Sequence, residues 1–429
     1  MTKRIVRREG QQSLSFTSPL LARILSSRGV LNADDLDHSL KGLLAPDSFL
    51  GIGEAATILA DALESDSSIL IVGDFDADGA TSCTLMVTAL RAMGARQVNY
   101  LVPDRFKFGY GLTPEIVDVA VQFKPAVIVT VDNGIASVEG VAHANTLGIS
   151  VVVTDHHLPG HELPAAAAIV NPNQSGCEFP SKSLAGVGVA FYLLSVLRTE
   201  LRSRDWFAHH PEINLASFLD LVALGTVADV VPMDQNNRRL VEEGIRRIRG
   251  GHCRPGLKAM LLAAGVNPQH LTTRDLAFSI APRLNAAGRL QDMSIGIECL
   301  LADEVRAVEL AEHLDALNNE RKEIETDMRD IALAHLKQLS LDEETAAGLC
   351  FYRPDWHQGV VGIVASRIKE KSHRPVIAFA PAGDGELKGS GRSVAGFHLR
   401  DALDAIATRH PGLLLKFGGH AMAAGLSLF

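Results

Sequence analysis

Four short apolar runs alternate with helical stretches between residues 68 and 157, and this alternation constrains the fold more than any other feature. Each run is rich in β-branched residues, and stretches of helical pattern lie between the runs, near 81–93, 113–123 and 136–147. Strands that alternate with helices form βαβ units, in which helices cover both faces of a parallel sheet. The runs are Ile69–Val72, Val98–Val102, Val127–Val131 and Val151–Thr154. We therefore predict an α/β fold with a buried parallel sheet.

Acidic and imidazole side chains directly follow three of these predicted strands. Asp74–Gly79 follows the first strand, Asp132–Gly134 the third and Asp155–His157 the fourth. The carboxyl ends of strands in an open parallel sheet form one rim, and ligands bind at that rim. Groups that are roughly 60 to 80 residues apart in the sequence are therefore expected to meet at a single site.

The chemistry of these groups favours divalent cations. Three aspartates within 74–78 repel one another, and burying them together costs several kcal/mol unless cations compensate the charge. Carboxylates with one or two imidazoles suit Mn²⁺ or Mg²⁺ better than zinc. Taken singly, each motif has another interpretation: an EF-hand loop for Asp74–Gly79, although Leu85 replaces its final Glu, a turn for 132–134, and a capping group for 155–157. Their joint placement predicts a pair of ions about 3.5–4 Å apart, the usual arrangement for phosphodiester hydrolysis.

Length and composition indicate a globular protein of more than one domain. A chain of 429 residues exceeds what one compact core accommodates, so two or three domains are expected. No run of about 18 apolar residues occurs and no apolar signal core follows Met1, so we expect a protein that neither spans a membrane nor is exported. The cysteines show no CxxC spacing, which is typical of reduced thiols in the cytoplasm. They are Cys83, Cys177, Cys253, Cys299 and Cys350.

Charge leaves the type of partner open. The net charge of −9 argues mildly against nucleic acid, but clustered carboxylates that bind cations account for part of it. One basic cluster could contact phosphates or could equally be a solvated helix face. It comprises Arg238, Arg239, Arg246, Arg247, Arg249, Arg254 and Lys258.

The pattern beyond residue 184 predicts a helical region followed by a second α/β unit. A charged amphipathic stretch from Asp303 to about Leu339 predicts one long helix that joins two domains. Apolar strand patterns and helical stretches return after it. The predicted divisions are an N-terminal helical region (1–45), a parallel-sheet domain (46–235), a helical connector including the long helix (236–345) and a smaller α/β domain (346–429).

The acidic motifs resemble those of the DHH phosphoesterase superfamily. Asp74–Gly79, Val131–Gly134, Asp155–His157 and Leu224–Pro232 are similar to its four motifs in order. The resemblance implies that Asp132 bridges two ions, that His157 contacts the scissile phosphate and that Asp155 orients a histidine. The implied metal ligands are Asp76, Asp78, Asp132, His156 and Asp229, with Asp74 a weaker candidate.

Further motifs resemble one family of this superfamily, the exonucleases that degrade single-stranded DNA from its 5′ end. They include Val102–Phe106, Lys182–Gly188, Ala281–Arg289, His357–Gly362 and Gly389–Ser393. The resemblance implies that the second α/β unit is a DHH-associated domain that binds substrate, and Gly-rich turns and arginine forks suit phosphates. A surface ion pair or a purely structural Gly turn is the alternative for each such residue. The implied substrate contacts are Ser390, Arg392, His420, Gly419, Arg105, Arg283 and Arg289.

The same resemblance implies a metal-dependent 5′-to-3′ exonuclease of recombination and repair. Its expected partners are single-stranded DNA, a single-stranded-DNA-binding protein and a repair helicase, and a monomer is expected. Members of the family continue into an OB-fold domain, and nothing here resembles one, so we expect a catalytic core without that domain. The alternatives are a DHH hydrolase of small nucleotides or oligoribonucleotides, and a scaffold that has lost its metals, against which the intact acidic set argues.

Overall fold

The protein consists of two compact units. The computed structural model describes residues 14–15, 17–104, 107–108, 110–338, 347–383 and 385–429. The first unit comprises Met1–Leu284 and Met293–Ala311, and the second comprises Asn285–Asp292 and Glu312–Phe429. Within the described ranges no single helix is both long and apolar enough to cross a membrane, and one sharply bent helix pair, 40–48 with 52–64, meets the criteria of length and composition.

A five-stranded parallel sheet forms the centre of the first unit. Its strand order is β2-β1-β3-β4-β5, and every neighbouring pair is parallel. The central strands β1 and β3 are buried along their full length, as expected where helices cover both faces. Gly73 of β1 pairs with Val131 of β3, which pairs with Thr154 of β4, so these three strands end at the same level. The strands are β1 (Ile69–Gly73), β2 (Val98–Leu101), β3 (Val127–Val131), β4 (Ser150–Thr154) and β5 (Ala168–Val170).

Helices surround this sheet and continue into a helical region after it. The apolar helix α7 is buried from Leu219 to Val227, and α3 is buried along nearly its whole length. The helices that begin in this unit are α1 (Pro19–Ser26), α2 (Ile52–Glu64), α3 (Ala77–Ala92), α4 (Pro114–Ala120), α5 (Val138–Thr146), α6 (Gly186–Ser203), α7 (Leu219–Ala228), α8 (Gln235–Arg249), α9 (Pro255–Ala263), α10 (Thr273–Asp275), α11 (Ala281–Leu290), α12 (Ser294–Leu301) and α13 (Glu304–Gln338).

The second unit contains a smaller mixed sheet. Its order is β6-β7-β8-β10-β9, in which β6 and β7 are parallel and the other pairs are antiparallel. Val364 and Ile368 of α14 pack on one side of the core with Val376, while Leu399 and Leu403 of α15 pack with Leu426 elsewhere on the sheet. The elements are β6 (Leu349–Tyr352), α14 (Val361–Ser372), β7 (Val376–Gly383), β8 (Glu386–Arg392), α15 (Leu399–Arg409), β9 (Lys416–Gly419) and β10 (Ala423–Leu428).

The predicted fold class is confirmed: a parallel-sheet domain and a smaller α/β domain are connected by the long helix α13. All four predicted strands of the first sheet are present, and the amphipathic stretch after Asp303 forms α13. Three strands, β5, β8 and β9, are additional to the sequence pattern. The division into four regions stays a prediction.

Three arginines of the basic cluster stabilise the first unit. Arg239, which is 8% exposed, donates to the carbonyls of Asp37 and Gly42. Arg249 donates to the Leu271 carbonyl at 2.8 Å, and the Arg254 guanidinium lies 5.2 Å from the Phe218 ring centroid. For these three side chains the structure favours a role in holding helices together.

Candidate metal centre and phosphate pocket

The common level at which three strands end brings the acidic motifs together. Asp74 follows β1, Asp132 follows β3 and Asp155 follows β4, each directly after a residue that is aligned with the others in the sheet. All three are buried, with exposures of 7%, 2% and 1%. Main-chain topology alone therefore gathers three carboxylates at the carboxyl edge of the sheet.

The first motif forms the turn from β1 into α3. Asp76 caps the helix, because its Oδ1 accepts hydrogen bonds from the amides of Asp78 at 2.9 Å and Gly79 at 3.1 Å. Gly79 is required here, since a Cβ atom would lie 2.3 Å from the Asp74 carbonyl oxygen. The motif thus places three aspartates on a tight turn that only this glycine allows.

Asp78 is fixed by the start of another helix. Its Oδ2 accepts from the Gly186 amide at 2.6 Å and its Oδ1 from the Val187 amide at 3.0 Å, and both amides belong to the first turn of α6. Amides at a helix N-terminus stabilise a negative charge. Burial and the neighbouring Asp76 carboxylate nevertheless raise the pKa of Asp78 to about 7.

Asp132 has a strained backbone. Its φ of +62° lies in the left-handed region, which a non-glycine residue adopts at a cost of order 1–3 kcal/mol. Gly186 lies directly against it, because a Cβ at Gly186 would come within 2.6 Å of the Asp132 Cβ. Burial, followed by the charges of Asp78, Asp76 and other carboxylates, raises the pKa of Asp132 well above its ordinary value. Asp132 therefore combines a strained backbone with a carboxylate that is repelled by the neighbouring carboxylates.

His156 provides a neutral nitrogen close to two carboxylates. Its Nε2 lies 3.1 Å from Asp132 Oδ1 and 3.4 Å from Asp229 Oδ2. Both His156 Nε2 and Asp132 Oδ1 are buried, and neither has a hydrogen-bond partner among the described residues. Burial, reinforced by the charge of His157, lowers the pKa of His156 to about 4, so its ring is neutral at physiological pH. A neutral imidazole nitrogen that faces carboxylate oxygens suits the coordination of a metal ion.

Asp229 enters the site from the end of α7 rather than from a strand. It is the C-cap residue of that helix. Close packing of α7 on α3 depends on Gly225, where a Cβ would lie 2.3 Å from Thr81 Oγ1 and 2.7 Å from Asp78 Oδ1. Burial and then the charge of Asp78 raise the pKa of Asp229 to about 8.

The donor set fits divalent cations. Within the described part of the chain, three sets of side chains each offer ligand atoms within 4.8 Å of one another, and Asp132 and His156 each belong to two of them. The carboxylate pKa values are raised, and two buried ligand atoms lack hydrogen-bond partners among the described residues. The described residues therefore leave the negative charge of this site uncompensated. Oxygen donors with one imidazole are typical of Mn²⁺ and Mg²⁺ sites. The sets are Asp132–His156–His157, Asp78–His156–Asp229 and Asp74–Asp76–Asp132.

His157 differs from its neighbour in charge. Its Nδ1 lies 2.7 Å from Asp155 Oδ1, and Asp155 also accepts from the backbone amides of His156, His157 and Ile135. Burial alone would lower the pKa of His157, but the hydrogen bond and charge of Asp155 raise it to about 9. Burial likewise acts to raise the pKa of Asp155, and its bonds to His157 outweigh this and lower it. His157 is therefore a cation at neutral pH.

Tyr110 is a residue of this site that the sequence pattern does not assign there. Its hydroxyl lies 3.2 Å from His157 Nδ1 and donates to the Asp132 carbonyl oxygen at 3.3 Å. Only the folded loop shows that the hydroxyl reaches two metal-site motifs.

Ser390, Arg392 and the start of α14 lie together in the second unit and form a candidate phosphate pocket. Arg392 Nη1 donates to Ser390 Oγ at 3.0 Å and to the Gly391 carbonyl at 2.8 Å. Gly362, in the first turn of α14, lies next to both side chains. A Cβ atom added at Gly362 would lie 2.8 Å from Ser390 Oγ and 2.9 Å from Arg392 Nη2. A helix N-terminus, a hydroxyl and a guanidinium around a glycine suit a phosphate group.

The remaining predicted substrate contacts have varied surroundings. Arg289 Nη1 lies 3.4 Å from the Gly359 carbonyl in the second unit, whereas Arg283 is 9% exposed and donates to the Ser279 carbonyl at 2.5 Å. Gly419 has a φ of +134°, and a Cβ there would lie 2.4 Å from the Ala423 carbonyl oxygen, which also accepts from the His420 amide. The structure thus gives Arg283 and Gly419 clear structural roles. Arg105 lies outside the described residues.

Known proteins share both units of this chain. The model of the DHH family, N-terminal domain, matches residues 68–226, and that of the DHHA1 domain matches residues 345–428. The single-stranded-DNA-specific exonuclease RecJ of Salmonella typhimurium is 58% identical over 99% of this chain and 75% of its own length.

Solved structures agree with these similarities. A crystal structure of exonuclease RecJ bound to manganese is 35% identical, with a TM-score of 0.76 over 90% of this chain and 92% of its own. RecJ from Thermus thermophilus in complex with Mg²⁺ is 32% identical, with a TM-score of 0.72 over 96% of this chain and 54% of its own. The chain belongs to the RecJ family of single-stranded-DNA-specific exonucleases.

Proposed function

We propose that this protein hydrolyses phosphodiester bonds of single-stranded DNA from the 5′ end, with two divalent cations, Mn²⁺ or Mg²⁺, at the sheet edge. One observation carries the proposal: Asp132 Oδ1 and His156 Nε2 lie 3.1 Å apart, buried and without hydrogen-bond partners among the described residues. The names of the relatives, which act on single-stranded DNA and bind manganese or magnesium, support the choice of substrate and metal.

The metal ligands in this proposal are the residues that the motifs implied. Asp132 is the candidate bridge, because its carboxylate takes part in two of the three ligand sets. When bound, a pair of divalent ions activates water and stabilises charge on phosphate oxygens. The ligands are Asp76, Asp78, Asp132, His156 and Asp229, with Asp74 close to the same group.

His157 is proposed to bind the scissile phosphate rather than a metal. Its positive charge disfavours metal coordination and suits a hydrogen bond to a phosphate oxygen that gains charge during hydrolysis. Asp155 holds the ring through Nδ1, and a charged imidazole also carries a proton on Nε2, which lies 3.4 Å from the Tyr110 hydroxyl. The two adjacent histidines thus have different proposed roles: His156 coordinates a metal ion, and His157 stabilises the charge that develops on the phosphate.

The preference for 5′ ends is proposed to depend on the pocket of the second unit. A terminal phosphate carries more negative charge than an internal phosphodiester, and an arginine fork binds it in two places. Ser390, Arg392 and the first turn of α14 offer these donors. Arg289 and His420 are weaker candidates for contacts to the same strand.

The cellular setting is also a proposal. Family membership supports a role in DNA recombination and repair, in the cytoplasm, as a monomer. It also supports contacts with a single-stranded-DNA-binding protein and a repair helicase.

One gel assay tests the proposed function. Single-stranded and blunt duplex DNA and single-stranded RNA, labelled at either end, are incubated with Mn²⁺, Mg²⁺ or chelator. We expect labelled mononucleotide at once from 5′-labelled single strands, a shrinking ladder from 3′-labelled ones, and no cleavage with chelator or with Asp132→Asn. Cleavage that begins at the 3′ end, or that persists in chelator, would refute the proposal. If a dinucleotide added as a further substrate is hydrolysed efficiently and the longer strands are not, a hydrolase of small nucleotides would be favoured.

A further inference from the structure

The turn that follows β5 binds the main chain of the two histidines at the candidate metal centre. Asn171 directly follows β5, which pairs with β4, so it lies level with Asp155 at the carboxyl edge of the sheet. Asn171 is fully buried, and its Nδ2 donates to the His157 carbonyl oxygen at 2.9 Å. The Nδ2 of Asn173 donates to the His156 carbonyl oxygen at 2.6 Å. Two side-chain amides of one turn therefore hold two consecutive carbonyls of the Asp-His-His motif.

Further hydrogen bonds fix the shape of this turn. The Asn173 backbone amide donates to Asn171 Oδ1 at 2.7 Å, which closes an Asx turn. Lys182 Nζ donates to the carbonyls of Pro172 and Cys177, both at 2.7 Å. The turn is therefore ordered by the protein's own groups, and its two side-chain amides have fixed positions.

The carbonyls matter because they fix the direction in which each histidine leaves the main chain. A peptide group is planar, so a hydrogen bond to the carbonyl oxygen of a histidine restricts the ψ dihedral of that residue. His156 Nε2 lies 3.1 Å from Asp132 Oδ1, whereas His157 Nδ1 lies 2.7 Å from Asp155 Oδ1. The ring centroids are 4.5 Å apart and the ring planes are tilted by 55°. Neighbouring rings thus contact different partners, which requires a defined main chain.

Asp155 and the turn hold opposite ends of this short segment. Asp155 Oδ1 accepts from the backbone amides of His156 at 2.7 Å and His157 at 3.0 Å. The chain then becomes exposed, since Leu158 is 66% exposed. Asn171 therefore holds the His157 carbonyl at the point where the chain leaves the site.

We propose that Asn171 and Asn173 are positioning residues of the nuclease. In this inference, which rests on the proposed function, Asn173 sets the metal-binding nitrogen of His156 and Asn171 sets the His157 ring toward the phosphate. Groups that orient a metal ligand are worth about 10–100-fold in metal affinity or activity. A displacement of about 1 Å of a group that acts on the transition state costs on the order of 100-fold in rate. The two asparagines should therefore affect different steps.

Single substitutions separate the two roles. Titration of the metal-free protein with Mn²⁺ measures binding, and digestion of single strands with a 5′ phosphate at saturating Mn²⁺ measures kcat and KM. Asn173→Ala should weaken Mn²⁺ binding about tenfold or more. Asn171→Ala should lower kcat about tenfold or more and leave KM and Mn²⁺ binding close to the wild-type values. Wild-type Mn²⁺ binding in Asn173→Ala would refute the role of Asn173.

Gln174→Ala is the matched control from the same turn. Gln174 is 7% exposed, and its Nε2 donates to the carbonyls of Ile169 at 2.8 Å and Leu50 at 3.2 Å, neither of which belongs to the site. This variant should lose thermal stability as the asparagine variants do but keep wild-type kcat and Mn²⁺ binding. Equal losses in Gln174→Ala would show that the turn acts only through stability. If Asn171→Ala fails to fold, Asn171→Ser replaces it, because a serine hydroxyl can still accept the Asn173 amide.

A double-mutant cycle tests whether Asn171 acts through His157. Asn171→Ala should lower kcat in the wild-type background and cause no further loss in a His157→Ala background. An equal loss in both backgrounds would refute the role of Asn171 while the exonuclease assignment stands. If the wild type does not digest from the 5′ end at all, the proposed function fails and the role of Asn171 with it, whereas Mn²⁺ titration still decides the role of Asn173.

Discussion

Replacing Asp229 by asparagine should stabilise the metal-free protein while abolishing its activity. The pKa of Asp229 is raised to about 8 by burial and by the charges of Asp78 and Asp76. A carboxyl group whose pKa is raised on folding contributes stability that is present below its unfolded value of 3.8 and is lost as the pH rises through 8. The charge of Asp229 therefore opposes folding at pH 8 unless a cation neutralises it.

The size of the effect follows from this shift. One pKa unit corresponds to about 1.4 kcal/mol, so the ionised group costs roughly 5 kcal/mol at pH 8 and between 1 and 2 kcal/mol, roughly, at pH 5. A buried amide with unmade hydrogen bonds costs about 1–3 kcal/mol in return. We expect Asp229→Asn to raise the free energy of unfolding by about 2–4 kcal/mol at pH 8, and to change it little at pH 5.

Denaturant unfolding in chelator at both pH values measures this difference. Added Mn²⁺ should reverse the order at pH 8, since the wild type gains binding energy that the variant cannot. Glu54→Gln, which neutralises an exposed carboxylate on α2, is the control and should have no comparable effect. The reasoning fails if Asp229→Asn is no more stable than the wild type at pH 8 in chelator, or if its advantage is the same at pH 5.

The other predictions concern chemistry. Asp132→Ala should reduce exonuclease activity below a tenth of wild type in a gel assay while the circular dichroism spectrum is unchanged, because both ions would lose a ligand. His156→Ala should lose bound Mn²⁺ in elemental analysis, whereas His157→Ala should keep it and lose roughly 100-fold or more in kcat, since it removes only a donor to the phosphate. Arg392→Ala should raise KM about tenfold or more for strands with a 5′ phosphate and little for strands with a 5′ hydroxyl, because charge-assisted hydrogen bonds are worth about 1.5–3 kcal/mol.

Each of these outcomes can be contradicted. Activity above a tenth in Asp132→Ala would count against a bridging role. Equal metal loss in both histidine variants would contradict the assignment of metal binding to His156 and phosphate binding to His157. If Arg392→Ala raises KM equally for strands with a 5′ phosphate and strands with a 5′ hydroxyl, Arg392 does not bind the terminal phosphate.

The first sheet was predictable because burial on both faces leaves a clear trace in the sequence. Strands such as β1 and β3 are apolar throughout, since neither face meets water. The strand β5 is only three residues long and gives too short a signal. The sequence of β8 lacks a strand pattern because glycines occupy positions where neighbouring side chains pack closely. A Cβ at Gly389 would lie 2.5 Å from the Phe379 ring, and one at Gly391 would lie 2.5 Å from the Leu399 side chain.

The candidate metal centre was predictable in part for a similar reason. Parallel strands that end in register bring their following residues together, so Asp132 and His156 could be assigned to one site from their positions alone. Asp229 came from resemblance, since a carboxylate after a buried helix has no comparable positional signal. Tyr110 and the left-handed backbone of Asp132 depend on loop geometry, which residue patterns do not encode.

The contact between Asp78 and the start of α6 gives the protein an internal spectroscopic reporter. The amides of Gly186 and Val187 donate to the two oxygens of one carboxylate, at 2.6 and 3.0 Å. The chemical shift of an amide proton responds to the charge of the group that accepts it. Titration of the metal-free protein should therefore move these two resonances together near pH 7, where Asp78 changes its charge. Saturating Mg²⁺, which is diamagnetic, should hold both resonances at their ionised positions across the same pH range, so that two backbone signals from a helix record the occupancy of the metal centre.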